Sequence, residues 1–82
     1  MLSPAPYGDA AVRSLSPGET RVIELISRGL TNRQTAAELG LTVHAVKFHL
    51  AGTYRKLGVA NRTQASRYAH LHALTSPVPR AA

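Results

Sequence analysis

Residues 31–57, TNRQTAAELGLTVHAVKFHLAGTYRKL, decide how this chain folds. Ala36, Gly40 and Val46 stand four and then six positions apart, with Leu39 and Leu41 on either side of the glycine. A small residue lets two helix backbones cross closely, glycine permits the left-handed turn between them, and an apolar residue pins the second helix. This is the pattern of a helix-turn-helix, with a short helix near 32–39 and a longer one near 43–57.

Capping chemistry extends the reading to both sides. Ser16-Pro17-Gly18-Glu19, Thr31-Asn32-Arg33-Gln34 and Asn61-Arg62-Thr63-Gln64 each place Glu or Gln three residues after a capping side chain, which predicts capping boxes. Thr42 caps without a box, because Ala45 holds the third helical position. Gly29, Gly40 and Gly58 follow helical runs as stops. Helices are therefore predicted near 17–28, 32–39, 43–57 and 62–73. No useful run alternates with period two, so no strand is expected. The expected fold is all-α, a four-helix domain over 15–74, with flexible segments at 1–14 and 75–82 where proline and glycine replace apolar periodicity.

Periodicity assigns the faces. Val22, Leu25 and Ile26 form a buried stripe with Ile23 at its flank, and Val46, Leu50, Thr53, Tyr54 and Leu57 form its partner. His49 is expected half-buried beside them. The outward stripe of the same helix is His44, Lys47, Phe48 and Ala51, with Arg55 one turn further on.

Charge is unevenly distributed. The net charge is +6, yet all four carboxylates, Asp9, Glu19, Glu24 and Glu38, precede residue 39, so residues 1–38 are neutral and the whole excess lies in 39–82. A basic half built around a helix-turn-helix points to double-stranded DNA. The outward stripe then faces the major groove, with His44, Lys47, Phe48 and Ala51 as base contacts. Lys47 can donate to O6 and N7 of guanine. Phe48 either meets a thymine methyl group or folds back on the preceding helix. Thr31, Asn32 and Thr42, at helix N-termini, and Arg33, Arg55, Lys56 and Arg62, as cations, are the candidate backbone contacts. Arg55 and Lys56 also offset the dipole at their helix end.

Other classes find little support. With no cysteine there is no disulfide framework or thiolate metal site. His44 and His49 are five apart and His70 and His72 two apart, neither of which aligns two metal ligands on a helix. No acid, base and nucleophile converge, so no catalytic residue, cofactor or small-molecule ligand is assigned. No apolar run suits a signal peptide or a membrane span, and a cytoplasmic, nucleoid-associated protein is expected. The rival reading is a helical protein-interaction module. In the last helix, Ala65, Tyr68, Ala69 and His72 form one stripe and Arg67, Leu71 and Leu74 another. One faces the core, and the second, Arg67, Leu71 and Leu74, is the candidate dimer contact.

The stretch LSPGETRVIELISRGLTNRQTAAELGLTVHAVKFHLAGTYRKLGVANRTQA, Leu15 to Ala65, resembles the DNA-binding domain of LuxR-type (GerE- or NarL-type) bacterial transcription regulators. The resemblance rests on LSPGE, GLTNRQTAAELG, VKFH, YRKLGV and NRTQA. It implies four helices, the second and third forming the motif, and a homodimer on near-palindromic DNA closed through the fourth. It also implies groove contacts at Lys47 and Phe48 and backbone contacts at Thr31, Asn32 and Thr42. Gly18, Thr35, Gly52 and Thr53 depart from residues usual in the family: an arginine, a bulky aliphatic, a polar residue and an isoleucine. Ala51 replaces what is sometimes a longer polar groove residue. Gly52 inside a helix costs about 1 kcal/mol relative to alanine, and together with Thr35 and Thr53 it predicts a marginally stable domain. Regulators of this kind usually carry an N-terminal receiver or ligand-binding domain, which residues 1–14 are too short to be.

Overall fold

A computed structural model describes residues 9–72. It is all-helical, with α1 at Asp9–Arg13, α2 at Pro17–Ser27, α3 at Asn32–Leu39, α4 at Val43–Leu57 and α5 at Arg62–Leu71. The last four are the helices predicted from the caps. α5 ends at Leu71 with His72 as its cap, short of the predicted 73, and residues 73–82, including the segment 75–82 expected to be flexible, lie outside the described residues.

Local chemistry explains the starts and stops. Ser16 and Thr31 form complete capping boxes with Glu19 and Gln34. The third predicted box is a correction. Asn61 Oδ1 accepts from the Gln64 backbone N–H at 2.9 Å, but Gln64 Oε1 accepts from Ala60, at 2.7 Å. The glutamine reaches one residue past the cap and ties down the approach to α5. Between α3 and α4, Gly40 sits at φ 69°, and both its N–H and that of Leu41 return to the Ala36 carbonyl. A side chain at Gly40 would carry the steric cost of the left-handed region, so the turn is glycine's by geometry.

The core has two lobes joined by α2. Val22, Ile26, Ala36, Val46 and Leu50 form the first, where α2, α3 and α4 meet. Ile23, Ala65 and Ala69 form the second, against α5. Tyr54 packs on both. Ile23 was expected at the flank of a single stripe and is instead fully buried, because α2 is covered by α4 on one side and α5 on the other. Burying one such side chain contributes roughly 1.5–3 kcal/mol. Thr35 and Thr53 are both fully buried. Thr53 Oγ1 donates to the His49 carbonyl at 2.8 Å, whereas Thr35 Oγ1 has no partner, an arrangement that costs about 1–3 kcal/mol.

α1 places a helix inside the segment expected to be flexible, at Asp9–Arg13, while residues 1–8 lie outside the described residues. Five residues cannot hold a helix by propensity, but α1 packs on α4 and buries Ala11. Ser14 closes the end by donating from both its N–H and its hydroxyl to the Ala11 carbonyl. Tertiary contact makes this helix, and no local pattern announces it.

Candidate nucleic-acid interface

α4 divides its side chains sharply. Val46 and Leu50 point into the core, while His44, Lys47, Phe48 and Ala51 are exposed. Thr42 Oγ1 fixes the start of the helix by accepting from the Ala45 N–H at 3.0 Å. Phe48 is 72% exposed, so it does not fold back on α3; its ring meets His49 edge-on at a centroid distance of 5.9 Å. His49 is half-buried as expected. A side chain on Gly18 would come within 2.8 Å of its ring, so the glycine makes room for it.

Beside this stripe lies an open cleft of about 650 Å³ lined by Thr31, Asn32, Arg33, Val43, Lys47 and Arg62. The fold thus brings the predicted Thr31, Asn32, Arg33, Lys47 and Arg62 together from the starts of three helices. Thr42, which caps α4, and His44, Phe48 and Ala51 on its exposed face lie outside that lining. Arg55 is exposed one turn beyond Ala51. Val43 was not foreseen as a lining residue, although its position three before buried Val46 places it at the edge of the apolar stripe. Arg33, Lys47 and Arg55 have no hydrogen-bond or ion-pair partner among the described residues.

Lys56 and Arg62 are differently placed. Lys56 Nζ donates to Glu19 Oε1 at 2.8 Å and to the Ser14 carbonyl at 3.0 Å, tying α4 to the start of α2. Burial pushes the Glu19 carboxyl upward, but the Lys56 hydrogen bond and charge and the bonds with Ser16 outweigh it and hold the group below the ordinary carboxylate value. Gly52 accounts for the space: a side chain there would collide with the Glu19 carboxylate. The glycine that reads as a defect of α4 is the seat of this ion pair. Arg62 donates from Nη1 to Asn32 Oδ1 at 2.9 Å and from Nη2 to the Leu30 carbonyl.

On α5 the core face is Ala65 and Ala69, both fully buried. Arg67 and Leu71 are exposed, Leu71 at 74%, and Leu74 lies outside the described residues. His72, grouped from sequence with Ala65, Tyr68 and Ala69, is exposed and stacks on the Tyr68 ring at 4.3 Å. His70 Nε2 donates to the Ser27 carbonyl at 3.0 Å, since a carbonyl can only accept. Sequence reasoning missed this tie between α5 and the end of α2, since a contact 43 residues apart leaves no periodic trace. No described helix is long and apolar enough to cross a membrane.

Comparison with known proteins places this geometry. Residues 13–69 match the family described as bacterial regulatory proteins, luxR family. The chain is 40% identical over 63 residues to the transcriptional regulatory protein LiaR of Bacillus subtilis, covering 77% of this chain and 30% of that protein. It is 40% identical over 68 residues to the two-component response regulator PprB of Pseudomonas aeruginosa, covering 74% and 25%. With the response regulator Rre1 of Synechocystis it shares 37% over 60 residues, covering 73% and 26%. The chain spans roughly a quarter to a third of the length of these relatives. With a family match over most of its length and the helix-turn-helix built as described, the chain belongs to the LuxR family of bacterial regulatory proteins.

Proposed function

We propose that this domain binds double-stranded DNA sequence-specifically as part of a bacterial transcription regulator, with α4 in the major groove. The observation that carries the reading is the open half of α4: His44, Lys47, Phe48 and Ala51 exposed in one stripe beside a cleft that holds Arg33 and Lys47 and no carboxylate. A helix of 15 residues is about 22 Å long, and the major groove, about 12 Å wide, admits a helix. Lys47 donates to a guanine edge and Phe48 meets a thymine methyl group, while His44 and Ala51 complete the base-facing surface. Thr31, Asn32, Arg33, Thr42 and Arg55 hold the phosphate backbone. Two copies bind together, and exposed Arg67 and Leu71 are the described part of their contact. The working compartment is the cytoplasm, at the nucleoid, and no cofactor takes part.

Selection from a random duplex library, followed by titration of the winner against scrambled DNA at two salt concentrations, tests this. The expected result is a near-palindromic site bound roughly 10³-fold above scrambled DNA. Weak binding to every sequence that disappears as salt rises means charge alone is acting, and a protein-interaction surface then replaces the DNA-binding reading.

A further inference from the structure

α3 and α5 do not pack on each other among the described residues, yet the side chain that opens α5 reaches the segment that opens α3. The two guanidinium nitrogens of Arg62 take different partners there, Asn32 Oδ1 and the Leu30 carbonyl, and both bonds are partly buried. The segment needs such support. α2 ends with the N–H groups of Gly29 and Leu30 turned back to the Ile26 and Leu25 carbonyls, while the Leu30 carbonyl accepts from Arg62. The next two bonds, between Thr31 and Gln34, are exposed and compete with water. The bonds from Arg62 span 30 and 32 positions of chain, and so fix α3 against a distant element.

We propose that Arg62 is a positioning residue: its guanidinium splints the first turn of α3 against α5 and presents Thr31, Asn32 and Arg33 to the phosphate backbone, without making a phosphate contact of its own. The inference rests on the DNA-binding reading above. It also accounts for the residue type, because a planar fork can serve two acceptors held apart and a lysine, a point charge on a flexible stem, cannot reproduce the pair.

The test is titration of the selected duplex by Arg62→Gln, Arg62→Lys, Asn32→Ala and the Asn32→Ala/Arg62→Gln double variant across a salt series, each at a temperature where circular dichroism shows it folded. Both Arg62 variants are expected to weaken binding by roughly tenfold, the scale of one charge-assisted hydrogen bond, with the slope of log affinity against log salt unchanged. The double variant should be little worse than Asn32→Ala alone, because Arg62→Gln then removes a strut that has already lost one of its two anchors. Arg62→Lys that binds like the wild type, an Arg62→Gln slope smaller by about 0.9 per protomer, or strictly additive losses would each overturn the proposal in favour of a direct phosphate contact. Should Arg62→Gln fail to fold, Arg62→Lys, which keeps the charge, decides: a roughly tenfold loss at unchanged slope supports the strut, and wild-type binding overturns it. A wild-type protein that prefers no duplex is a different result, and it defeats the DNA-binding reading itself.

Discussion

The two halves of α4 are one helix with opposite commitments. In the first half, Lys47 is exposed and has no partner among the described residues; nine positions later Lys56 is bound to Glu19 and Ser14. Phe48 projects into solvent, while Gly52, four residues on, is buried against a carboxylate. The first half is left open, and the second is tied to the start of α2 through Lys56 and Glu19. Two lysines of equal formal charge therefore stand in different surroundings, and the net charge of the C-terminal half overstates its unpaired charge.

The sharpest way to break this comparison is to exchange the fates of the two lysines. Lys47→Ala is expected to remove roughly 1–3 kcal/mol of discrimination at its base position, a loss of about 5- to 150-fold in specific affinity, while the melting temperature stays at the wild-type value. Lys56→Ala is expected to do the reverse. Removing one partner of a buried pair costs about 3–5 kcal/mol, and an exposed pair contributes at most about 1 kcal/mol. With Lys56 34% and Glu19 10% exposed, the expected loss is about 1–2 kcal/mol of folding stability, read by urea unfolding, with site preference intact. If Lys56→Ala also erases site preference, the division of α4 is wrong.

Gly52→Ala sharpens the locked half. Helix propensity alone favours alanine by about 1 kcal/mol. The added side chain, however, displaces a carboxylate that caps α2 and pairs with Lys56, and losing a cap costs about 0.5–2 kcal/mol before the ion pair is counted. A net loss of about 1 kcal/mol is expected; a gain would mean that Glu19 moves freely and that the glycine is only a weak point of the helix.

The smallest effect is on acid stability. Glu19 titrates below its ordinary value in the folded protein, so its contribution is fully present above the unfolded value of about 4.3 and disappears as pH falls through the lower folded value. Melting curves from neutral pH to pH 3 should therefore fall more steeply for the wild type than for Glu19→Gln. Parallel curves would show that the carboxyl gains nothing from Lys56.

Much of this was legible beforehand, where the cause is local. Caps at Ser16, Thr31 and Thr42 and the turn at Gly40 are decided by residues within a few positions of one another, and they fixed α2, α3 and α4. The outward stripe followed from helical period alone. What sequence did not reveal depends on distant partners. α1 exists because α4 covers it, and Ile23 is buried because α5 lies beside it. Gly52 reads as a cost until Glu19, 33 positions earlier, is seen beside it. Lys56 and Arg62 carry the same charge as Lys47 and Arg33, and only the fold distinguishes the cations tied to other elements from those without a partner among the described residues.

The central claim, that the open half of α4 is the reading surface, is tested most directly by titrating isotope-labelled protein with the selected duplex and following backbone and side-chain shifts. The expected result is large shifts at His44, Lys47, Phe48 and Ala51 and at Thr31 to Arg33, with Lys56 and its Glu19 partner nearly unmoved. Shifts concentrated on α5, at Arg67 and Leu71, with His44 to Ala51 silent, would contradict it.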